Sequence, residues 1–158
     1  MSITVRQALV DDATAACDVL RRSIRELCVT DHQNDEEALG AWLENKTTDN
    51  VRAWILSSDN YAVVAVRDAD ICGFALLTRD GTLRLCYRVP EVRRLGVGKA
   101  MLSALEAEAS RWGLRSVQLE STSGAKSFYE RNGYASTGEP VLVKAAQRAY
   151  PMQKVLAL

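Results

Sequence analysis

The amino-acid sequence predicts a mixed α/β domain that is built around one sheet. Three features of the sequence support this prediction. Residues 61–89 contain three β-rich runs separated by tight turns, which is typical of an antiparallel meander. Apolar residues recur at helical spacing both before and after this stretch. Short β-rich runs also occur near the start and the end of the chain, so helices and strands alternate along it.

The first sixty residues predict one strand followed by three helices. Ile3–Gln7 alternates apolar and polar side chains, which suits a short strand. Asp11 or Asp12 can provide the N-cap of the first helix. Asp35 can cap the second helix, and Asp49 can open the third. At helical spacing, the apolar side of the first helix comprises Ala15, Val19, Ile24, Leu27 and Cys28.

The next segment predicts the meander itself. Its three β-rich runs are Tyr61–Val66, Ile71–Leu77 and Thr82–Val89. Asp68–Asp70 can turn the chain between the first two runs. Asp80-Gly81 is a strong signal for a two-residue hairpin turn between the second and the third. The three strands are therefore expected to be neighbours in one antiparallel unit.

The remainder of the chain predicts two helices and three strands. The helical period returns from Gly96 to Trp112, and Gly113 is placed to end that helix. A strand at Val117–Leu119 precedes a short helix at Ser123–Arg131. A final strand pair is predicted at Tyr134–Thr137 and Met152–Leu156.

Length and composition limit the class of protein. The chain has 158 residues, which predicts a single domain spanning residues 1–158. Hydrophobic residues make up 47% and charged residues 25%, so a core can form without metal or disulfide support. The formal net charge is zero, which argues against a general nucleic-acid binder because phosphates require a basic surplus. We expect no nucleic-acid partner.

Cysteines and hydropathy indicate the compartment. The four cysteines form no CxxC pair and there is one histidine, so no metal site is predicted. The apolar settings of Cys72 and Cys86 predict buried thiols. The N-terminus lacks the apolar run of a signal peptide, and no stretch is apolar enough to cross a membrane. We expect a soluble, cytoplasmic protein without a membrane partner.

The segment from Arg84 to Ala100 carries the clearest chemical signal. A predicted strand stops at Pro90, a short basic loop follows, and Gly96-Val97-Gly98 opens a helix. Glycines let main-chain N–H groups approach a ligand, and a helix N-terminus favours anions. The basic side chains around this loop are Arg88, Arg93, Arg94 and Lys99. The combination predicts a diphosphate-binding site.

Two familiar nucleotide-binding motifs do not fit this loop. A Walker P-loop requires glycine where Arg93 stands and Ser or Thr where Ala100 stands. A dinucleotide-binding fingerprint requires a third glycine where Met101 stands, and a βαβ unit at the start of the fold. A helix that merely begins with glycines beside surface arginines is the remaining alternative. The loop alone does not choose between that alternative and a diphosphate site.

Two motifs resemble the GCN5-related N-acetyltransferase (GNAT) superfamily. Arg93, Gly96 and Gly98 match the R-x-x-G-x-G pyrophosphate loop. One helix and one strand later, the segment from Ala125 to Tyr134 resembles the A-x-x-F-Y-x-x-x-G-[FY] signature. Because both motifs occur in the expected order, the chain is identified as a member of this superfamily.

The resemblance implies a fold and a set of cofactor contacts. In this superfamily the sheet is mostly antiparallel, is flanked by helices, and splays open between its fourth and fifth strands. The pantetheine arm of acetyl-CoA fills that gap. Contacts to the arm are implied for Cys86, Tyr87 and Arg88, and further cofactor contacts for Thr122 and Ala125. Contacts to the pyrophosphate are implied for the main chain of Arg93, Arg94, Leu95, Gly96, Val97, Gly98 and Lys99.

The resemblance also implies catalytic roles. Tyr129 matches the tyrosine that protonates the departing thiolate, and Glu120 resembles a glutamate used as general base. Asp31 and His32 lie where relatives often build the acceptor pocket, although helix caps and a solvated loop would explain the same residues. The Cys86 thiol is expected to pack rather than to act as a nucleophile, because this superfamily transfers the acyl group directly.

These implications define the expected activity. The chain is expected to transfer acetyl from acetyl-CoA to a small-molecule amine or a peptide amine within a ternary complex. A catalytically silent acyl-CoA-binding module and an enzyme with a different acyl donor are the alternatives. Homodimers are common in the superfamily, but no residue in the sequence requires one.

Overall fold

A computed structural model of the chain describes residues 2–143 and 147–157. Its helices are α1 (Ala13–Leu27), α2 (Val29–His32), α3 (Glu36–Leu43), α4 (Thr48–Leu56), α5 (Val97–Arg111) and α6 (Lys126–Arg131). Its strands are β1 (Ile3–Gln7), β2 (Asn60–Arg67), β3 (Asp70–Thr78), β4 (Thr82–Arg88), β5 (Ser116–Ser121), β6 (Ala135–Ser136), β7 (Val141–Leu142) and β8 (Arg148–Val155).

The sheet has the strand order β1-β2-β3-β4-β5-β8-β6, and β7 pairs with β8. Strands β1 to β4 form an antiparallel meander, which confirms the prediction from the β-rich runs and the Asp80-Gly81 turn. Strand β5 is parallel to β4 and antiparallel to β8. The fold class predicted from the sequence, a mostly antiparallel mixed sheet flanked by helices, is therefore confirmed.

Helices cover both faces of the sheet. Helices α1 and α4 pack on one face, where Leu20 and Phe74 are completely buried. Helix α5 packs on the other face, where Met101 and Leu105 fill the core. Because each strand buries alternate side chains on opposite faces, the central strands β2 and β3 are almost continuously apolar. The centre of the sheet is thus buried between helices on both faces.

The sheet opens between β4 and β5. These strands pair at Thr82–Gln118 and Leu83–Leu119 and then separate. The register between β3 and β4 shifts by one residue at this point, since Leu77 opposes Leu83 and Leu76 opposes Leu85. The residue left unopposed is Arg84, so β4 carries a β-bulge where the strands part. A bulge increases local twist and bends its strand, which turns β4 away from β5.

One of the predicted caps of the N-terminal helices forms as expected, and the other two differ. Asp35 caps α3 as predicted, because its carboxylate accepts a hydrogen bond from Ala38 N. Asp12 precedes α1, but its carboxylate instead accepts from Leu9 N and from the Arg6 guanidinium. The cap of α4 is Thr47 rather than Asp49, since the Thr47 hydroxyl accepts from Asn50 N at 3.1 Å.

The apolar side of α1 also differs in part from the prediction. Val19, Ile24 and Cys28 are buried as expected, but Ala15 is exposed and Leu27 only half-buried. The buried side instead includes Ala16 and Leu20. Alanine is a weak marker of a buried face because it is common on both sides of helices.

The last part of the chain contains a hairpin that the sequence does not predict. Strands β6 and β8 pair as expected. Between them, β7 pairs with the start of β8, and Val143 N donates to Gln147 O at 2.8 Å. Strand β7 has two residues, which is too short for a recognisable alternating pattern. No helix in the part of the chain that the structure describes has the length and apolarity needed to span a bilayer.

Candidate functional site

The start of α5 presents main-chain N–H groups to which no described residue offers an acceptor. A 3-10 turn at Pro90–Val92 leads into the loop, and Gly96 is the N-cap of α5. Ala100 N makes the first intrahelical bond, to Gly96 O at 3.0 Å. Within residues 2–143 and 147–157, the N–H groups of Val97, Gly98 and Lys99 have no acceptor. Unpaired N–H groups and the helix dipole make such a terminus suitable for an anion.

The two glycines of the loop are needed for different reasons. Gly96 has φ +79°, a conformation that residues with a side chain adopt only with strain, and nothing lies near the place of a Cβ. Gly98 has an ordinary φ, but a Cβ there would come 2.8 Å from Cζ of Phe128. Gly96 therefore shapes the turn, whereas Gly98 lets α5 approach α6 closely.

The loop carries a local positive charge. Arg93, Arg94 and Lys99 are exposed around the free N–H groups. The acidic residue of this segment, Glu91, is ion-paired with Arg22 of α1, which lowers the pKa of the Glu91 carboxyl. The carboxylate is thus largely balanced by a cation from another element. The potential at the loop is therefore set by its own basic side chains.

A first cavity of about 320 Å³ occupies the gap between β4 and β5 and reaches the loop. Of the residues predicted to contact the cofactor, its lining includes Cys86, Tyr87, Arg88, Arg93, Gly98, Thr122 and Ala125. The other predicted contacts, which are not part of that lining, are Arg94, Leu95, Gly96, Val97 and Lys99. Leu95 is largely exposed, and Val97 is buried in the core.

The main chain of β4 offers hydrogen-bonding groups to this gap. Val89 N donates to Cys72 O of β3 at 3.0 Å. Successive residues of an antiparallel strand point their N–H groups to opposite sides. The N–H groups of Tyr87 and Val89 therefore face β3, and those of Cys86 and Arg88 face the gap. The parallel partner β5 has already diverged at this level.

Tyr129 lies at the inner wall of the first cavity. Its side chain is only 8% exposed and packs edge-on against Phe128 and Tyr134, with ring centroids at 5.2 and 5.7 Å. The phenol contacts the Cys86 thiol. Burial, reinforced by Cys86 and Tyr87, raises the Tyr129 pKa well above its ordinary value. The phenol is therefore protonated at neutral pH and able to donate a hydrogen bond.

Two cysteines in the wall of the first cavity have thiols whose ionisation is disfavoured by burial. Burial raises the pKa of the Cys86 thiol to about 12 and that of the Cys28 thiol to about 12. Cys72 is buried, as the sequence predicts, whereas the Cys86 residue is partly exposed toward the cavity. At neutral pH the thiols of Cys28 and Cys86 carry almost no thiolate, so their surroundings favour packing over nucleophilic chemistry.

Thr122 organises the entry to α6. Its hydroxyl oxygen accepts a hydrogen bond from Ala125 N at 3.2 Å. One of the hydroxyl's two lone pairs is thereby used, but its proton remains available to a ligand in the cavity. Both residues lie on the wall that faces the gap.

Of the two residues predicted to contact the acceptor substrate, Asp31 lines both cavities and His32 is buried away from them. The Asp31 carboxylate accepts hydrogen bonds from Ser123 N at 2.7 Å and Gly124 N at 3.2 Å, so it fastens α2 to the loop after β5. His32 is 1% exposed; its Nε2 donates to Ile24 O, and its Nδ1 accepts from Asn34 N. This assignment follows from the hydrogen-bond network and occupies both ring nitrogens. His32 lines neither of the two cavities.

A second cavity of about 300 Å³ adjoins the first. The wall that the two share is formed by Asp31, Tyr87, Glu120, Ser121 and Thr122. The predicted base Glu120 is exposed at the end of β5 and thus stands between the two spaces. The rest of the second cavity is formed by Ala38, Ala41, Trp42, Asn45, Lys46, Val143, Gln147, Arg148 and Ala149.

The residues that only the second cavity contains are not predicted from the sequence. They come from α3, the turn after it and the β7–β8 hairpin, which are about a hundred residues apart in the chain. Trp42 has the spacing of an ordinary apolar residue of the second predicted helix, and no local pattern marks the other side chains. Within the described residues, no group of three or more His, Cys, Asp or Glu side chains is arranged to hold a metal ion.

The chain matches a protein family in sequence and several solved structures in fold. Residues 28–156 match the family described as Acetyltransferase (GNAT) domain. Sequence comparison with curated proteins gives no significant match. A GCN5-related N-acetyltransferase from Rhodopseudomonas palustris matches the fold with a TM-score of 0.87 at 23% identity, over 99% of this chain and 97% of that one.

Two further solved structures contain ligands. The PaiA N-acetyltransferase from Thermoplasma acidophilum, in complex with coenzyme A, matches with a TM-score of 0.83 at 23% identity, over 98% of this chain and 99% of that one. YncA from Salmonella typhimurium, with its cofactor acetyl-CoA, matches with a TM-score of 0.75 at 21% identity, over 100% and 96% of the two chains. At these identities the likeness establishes the fold.

Proposed function

The chain belongs to the GNAT acetyltransferase domain family, and on this premise we propose that it transfers the acetyl group of acetyl-CoA to a primary amine. The proposal rests on an anion-binding helix start that lies directly beside an opening in the sheet. Unpaired N–H groups at the start of α5 adjoin a gap in the sheet, and Tyr129 lies on the wall of that gap.

The site fits the shape and charge of the acyl donor. The N–H groups of Val97, Gly98 and Lys99 bind the diphosphate, together with the exposed arginines of the loop. The extended pantetheine arm lies between β4 and β5, where the main chain of Cys86 and Arg88 is free to hydrogen-bond it. Relatives of this fold bind coenzyme A or acetyl-CoA, which supports the same use of the gap.

The chemical step is a direct displacement. The amine nitrogen forms a bond to the thioester carbonyl carbon, and the bond between that carbon and sulfur breaks. The N–H of Cys86 donates to the carbonyl oxygen as negative charge develops on it, which lowers the barrier because the donor is already oriented. Starting from the ammonium form, the nitrogen loses two protons, one to a base before attack and one to solvent as the amide forms. The sulfur gains one proton from an acid, which solvent then reprotonates.

Tyr129 supplies the proton to sulfur. Its raised pKa would make it a weak acid toward a thiolate in water, but the thiolate is released into the same buried space. The Cys86 thiol in contact with the phenol shows the effect of that space, since its pKa is raised from 9.0 to about 12. Burial shifts the pKa of the donor and that of the recipient in the same direction, so it does not by itself separate the two groups in acidity.

Glu120 is the base of the proposal. An alkylammonium group has a pKa near 10, so about one acceptor molecule in a thousand is neutral at pH 7 and a proton must be removed. The Glu120 carboxylate is exposed on the wall between the two cavities, where an amine from the second cavity meets the thioester in the first. A water molecule can complete the path.

Calorimetry with coenzyme A and a matched pair of glycine variants tests cofactor binding. Gly96 and Gly113 lie at opposite ends of α5, have φ of +79° and +83°, and have open space around them. Alanine should strain both backbones by a similar amount, about 1 kcal/mol. We expect Gly96→Ala to weaken coenzyme A binding about tenfold and Gly113→Ala to leave it unchanged. Equal effects, or no binding by the unaltered protein, would contradict the proposal.

Release of free thiol from acetyl-CoA, measured with a panel of amines, tests the reaction. We expect amine-dependent release and an acetylated product of the corresponding mass. If coenzyme A binds but no amine accelerates thiol release, the chain is a binding module and the transfer proposal is wrong.

A further inference from the structure

The charged side chains of the second cavity are separated by sign. The carboxylates of Asp31 and Glu120 lie on the wall shared with the first cavity. The cationic residues Lys46 and Arg148 line the second cavity but not the first. An occupant of this space therefore meets two carboxylate residues at the shared wall and two cationic residues elsewhere. A zwitterion with its ammonium group toward the gap complements both ends.

A buried hydrogen-bond donor lies at the positive end. The side-chain Nε2 of Gln147 is inaccessible to solvent and has no hydrogen-bond partner among the described residues. Its main chain is held in place, because Gln147 O accepts from Val143 N and closes the β7–β8 hairpin. A buried polar group without a partner costs free energy unless a ligand satisfies it. Because Gln147 lines the second cavity, a rotation of its side chain brings this donor to an oxygen atom of a ligand there.

Lys46 strengthens the positive end. Its side chain is only 8% exposed, and its Nζ donates to Trp42 O and to Asn45 Oδ1. These contacts fix the ammonium group against α3 and the turn that follows. Arg148 adds a second cation at the start of β8, next to Gln147. The donor and the two charges together suit a carboxylate better than a neutral carbonyl group.

The size and the remaining walls limit the occupant. A volume of about 300 Å³ is at the lower end of the range for ligand sites, roughly 300 to 1,000 Å³, so a small molecule fits and a large one does not. The other wall is apolar and comprises Ala38, Ala41, Trp42, Val143 and Ala149. This wall suits a hydrocarbon side chain.

We infer that the acceptor is a small aminocarboxylate with an apolar side chain, bound with its amine toward Glu120 and its carboxylate toward Gln147 and Arg148. The inference rests on the proposed acetyl transfer and specifies its second substrate. The carboxylate positions the amine at the gap, and the hydrogen bond from Gln147 selects against amines that lack an oxygen at that place.

Binding measurements on the protein saturated with coenzyme A test the inference without requiring turnover. The panel contains apolar α-, β- and γ-amino acids, each with its amide and its decarboxylated amine. We expect at least one amino acid to bind ten or more times tighter than its matched amine, with the amide between them. If the amines bind as tightly as the amino acids, or if no amino acid binds, the inference is wrong.

Two glutamine variants provide the matched control. Gln147→Glu keeps the shape but replaces the donor by a carboxylate, and should weaken the preferred amino acid at least tenfold while leaving its decarboxylated amine unchanged. Gln153 lies further along β8 outside both cavities, where its side-chain amide donates to the Ser116 hydroxyl. Gln153→Glu should therefore leave the affinity for both ligands unchanged. An unaltered amino-acid preference in Gln147→Glu would overturn the inference.

The two proposals can fail separately. If coenzyme A does not bind the unaltered protein, the proposed function fails and the inference fails with it. If coenzyme A binds and a simple amine is acetylated as fast as every aminocarboxylate, the proposed function stands and the inference alone is overturned. Coenzyme A affinity of Gln147→Glu should equal that of the unaltered protein, which confirms that the variant is folded.

Discussion

The two cavities on either side of Glu120 differ in the kind of chemical group that each offers to a ligand. The first uses the main chain: unpaired N–H groups at the start of α5 and the free side of β4. The second uses side chains from α3, from the turn after it and from the β7–β8 hairpin. The first is set by backbone geometry and a few glycines, whereas the second depends on which side chains its surrounding elements carry.

This difference indicates how the molecule divides its tasks. Main-chain groups are the same in every protein, so a site made from them needs only the right turn and bulge to form. Side chains can be exchanged without disturbing the sheet, so a site made from them can change its ligand. We expect substitutions around the first cavity to affect acyl-donor binding or the chemical step, and those around the second to affect acceptor choice.

The largest predicted effect concerns the thiols of the first cavity. A pKa of about 12 instead of 9.0 lowers the thiolate fraction at pH 8 roughly a thousandfold, because a raised pKa keeps more of the thiol protonated. Cys28 and Cys86 should therefore resist iodoacetamide at pH 8 and react faster as the pH rises toward 12. Mass spectrometry of labelled peptides measures this, with the guanidinium-unfolded chain as control. Rapid labelling of Cys86 in the folded protein would point to a nucleophilic thiol and against direct transfer.

The next largest effect concerns the phenol. Tyr129→Phe should lower kcat about a hundredfold or more and leave the KM for acetyl-CoA unchanged, since only proton donation is removed. Steady-state kinetics with the best amine measure both quantities. Tyr61→Phe is the control, because Tyr61 packs edge-on against Trp112 outside both cavities. A Tyr129→Phe enzyme with normal kcat would show that the tyrosine has a packing role alone.

A smaller effect is expected from the close contact of α5 and α6. Gly98→Ala should weaken coenzyme A binding about tenfold, because the new Cβ would come 2.8 Å from Phe128 and displace the start of the helix. Replacing Phe128 by Leu in the same chain should restore most of the affinity. Gly40→Ala in α3, where nothing lies within 4 Å of the added atom, should leave the affinity unchanged. Failure of the double variant to recover would mean that the added methyl group blocks the ligand directly and does not act through Phe128.

The smallest effect is expected on the shared wall. Asp31→Asn keeps the size of the side chain but loses one acceptor for the N–H groups of Ser123 and Gly124. Because Asp31 lies on the wall that both cavities share, its loss should disturb both sites. The lost hydrogen bond is exposed and contributes about 1 kcal/mol, so binding of acyl donor and of acceptor should each weaken about fivefold. Calorimetry with each ligand measures the two changes. An effect confined to the acceptor would show that Asp31 serves the second cavity alone.

The same comparison explains what can be predicted from the sequence. The proposed diphosphate loop is recognisable because Arg93, Gly96 and Gly98 are close together and their spacing is dictated by one helix start. The meander is recognisable because Asp80-Gly81 and the β-rich runs are local signals. Asp35 is recognisable as a cap for the same reason. Each of these features is decided within about ten residues of chain.

Features that depend on contacts between distant segments cannot be predicted in this way. The bulge at Arg84 exists because β4 must match β3 on one side and leave β5 on the other. The local sequence of β4 does not show which strands will lie beside it. From the sequence, the carboxylate of Asp31 could attract an amine or belong to a helix cap or a solvated loop. In the fold it binds two N–H groups from a loop 92 and 93 residues away. The second cavity escapes prediction because its walls meet only in the folded chain.

The parting of β4 from β5 has a mechanical consequence for the molecule. Thr82–Gln118 and Leu83–Leu119 are the pairs that join the meander to the C-terminal strands, so the sheet consists of two panels that share a short seam. A ligand lying in the gap beyond this seam would hydrogen-bond both panels and so replace the strand pairing that is absent there. Hydrogen exchange at the amides of Cys86 and Arg88 should slow when the gap is filled, and the two panels should then melt together at a higher temperature.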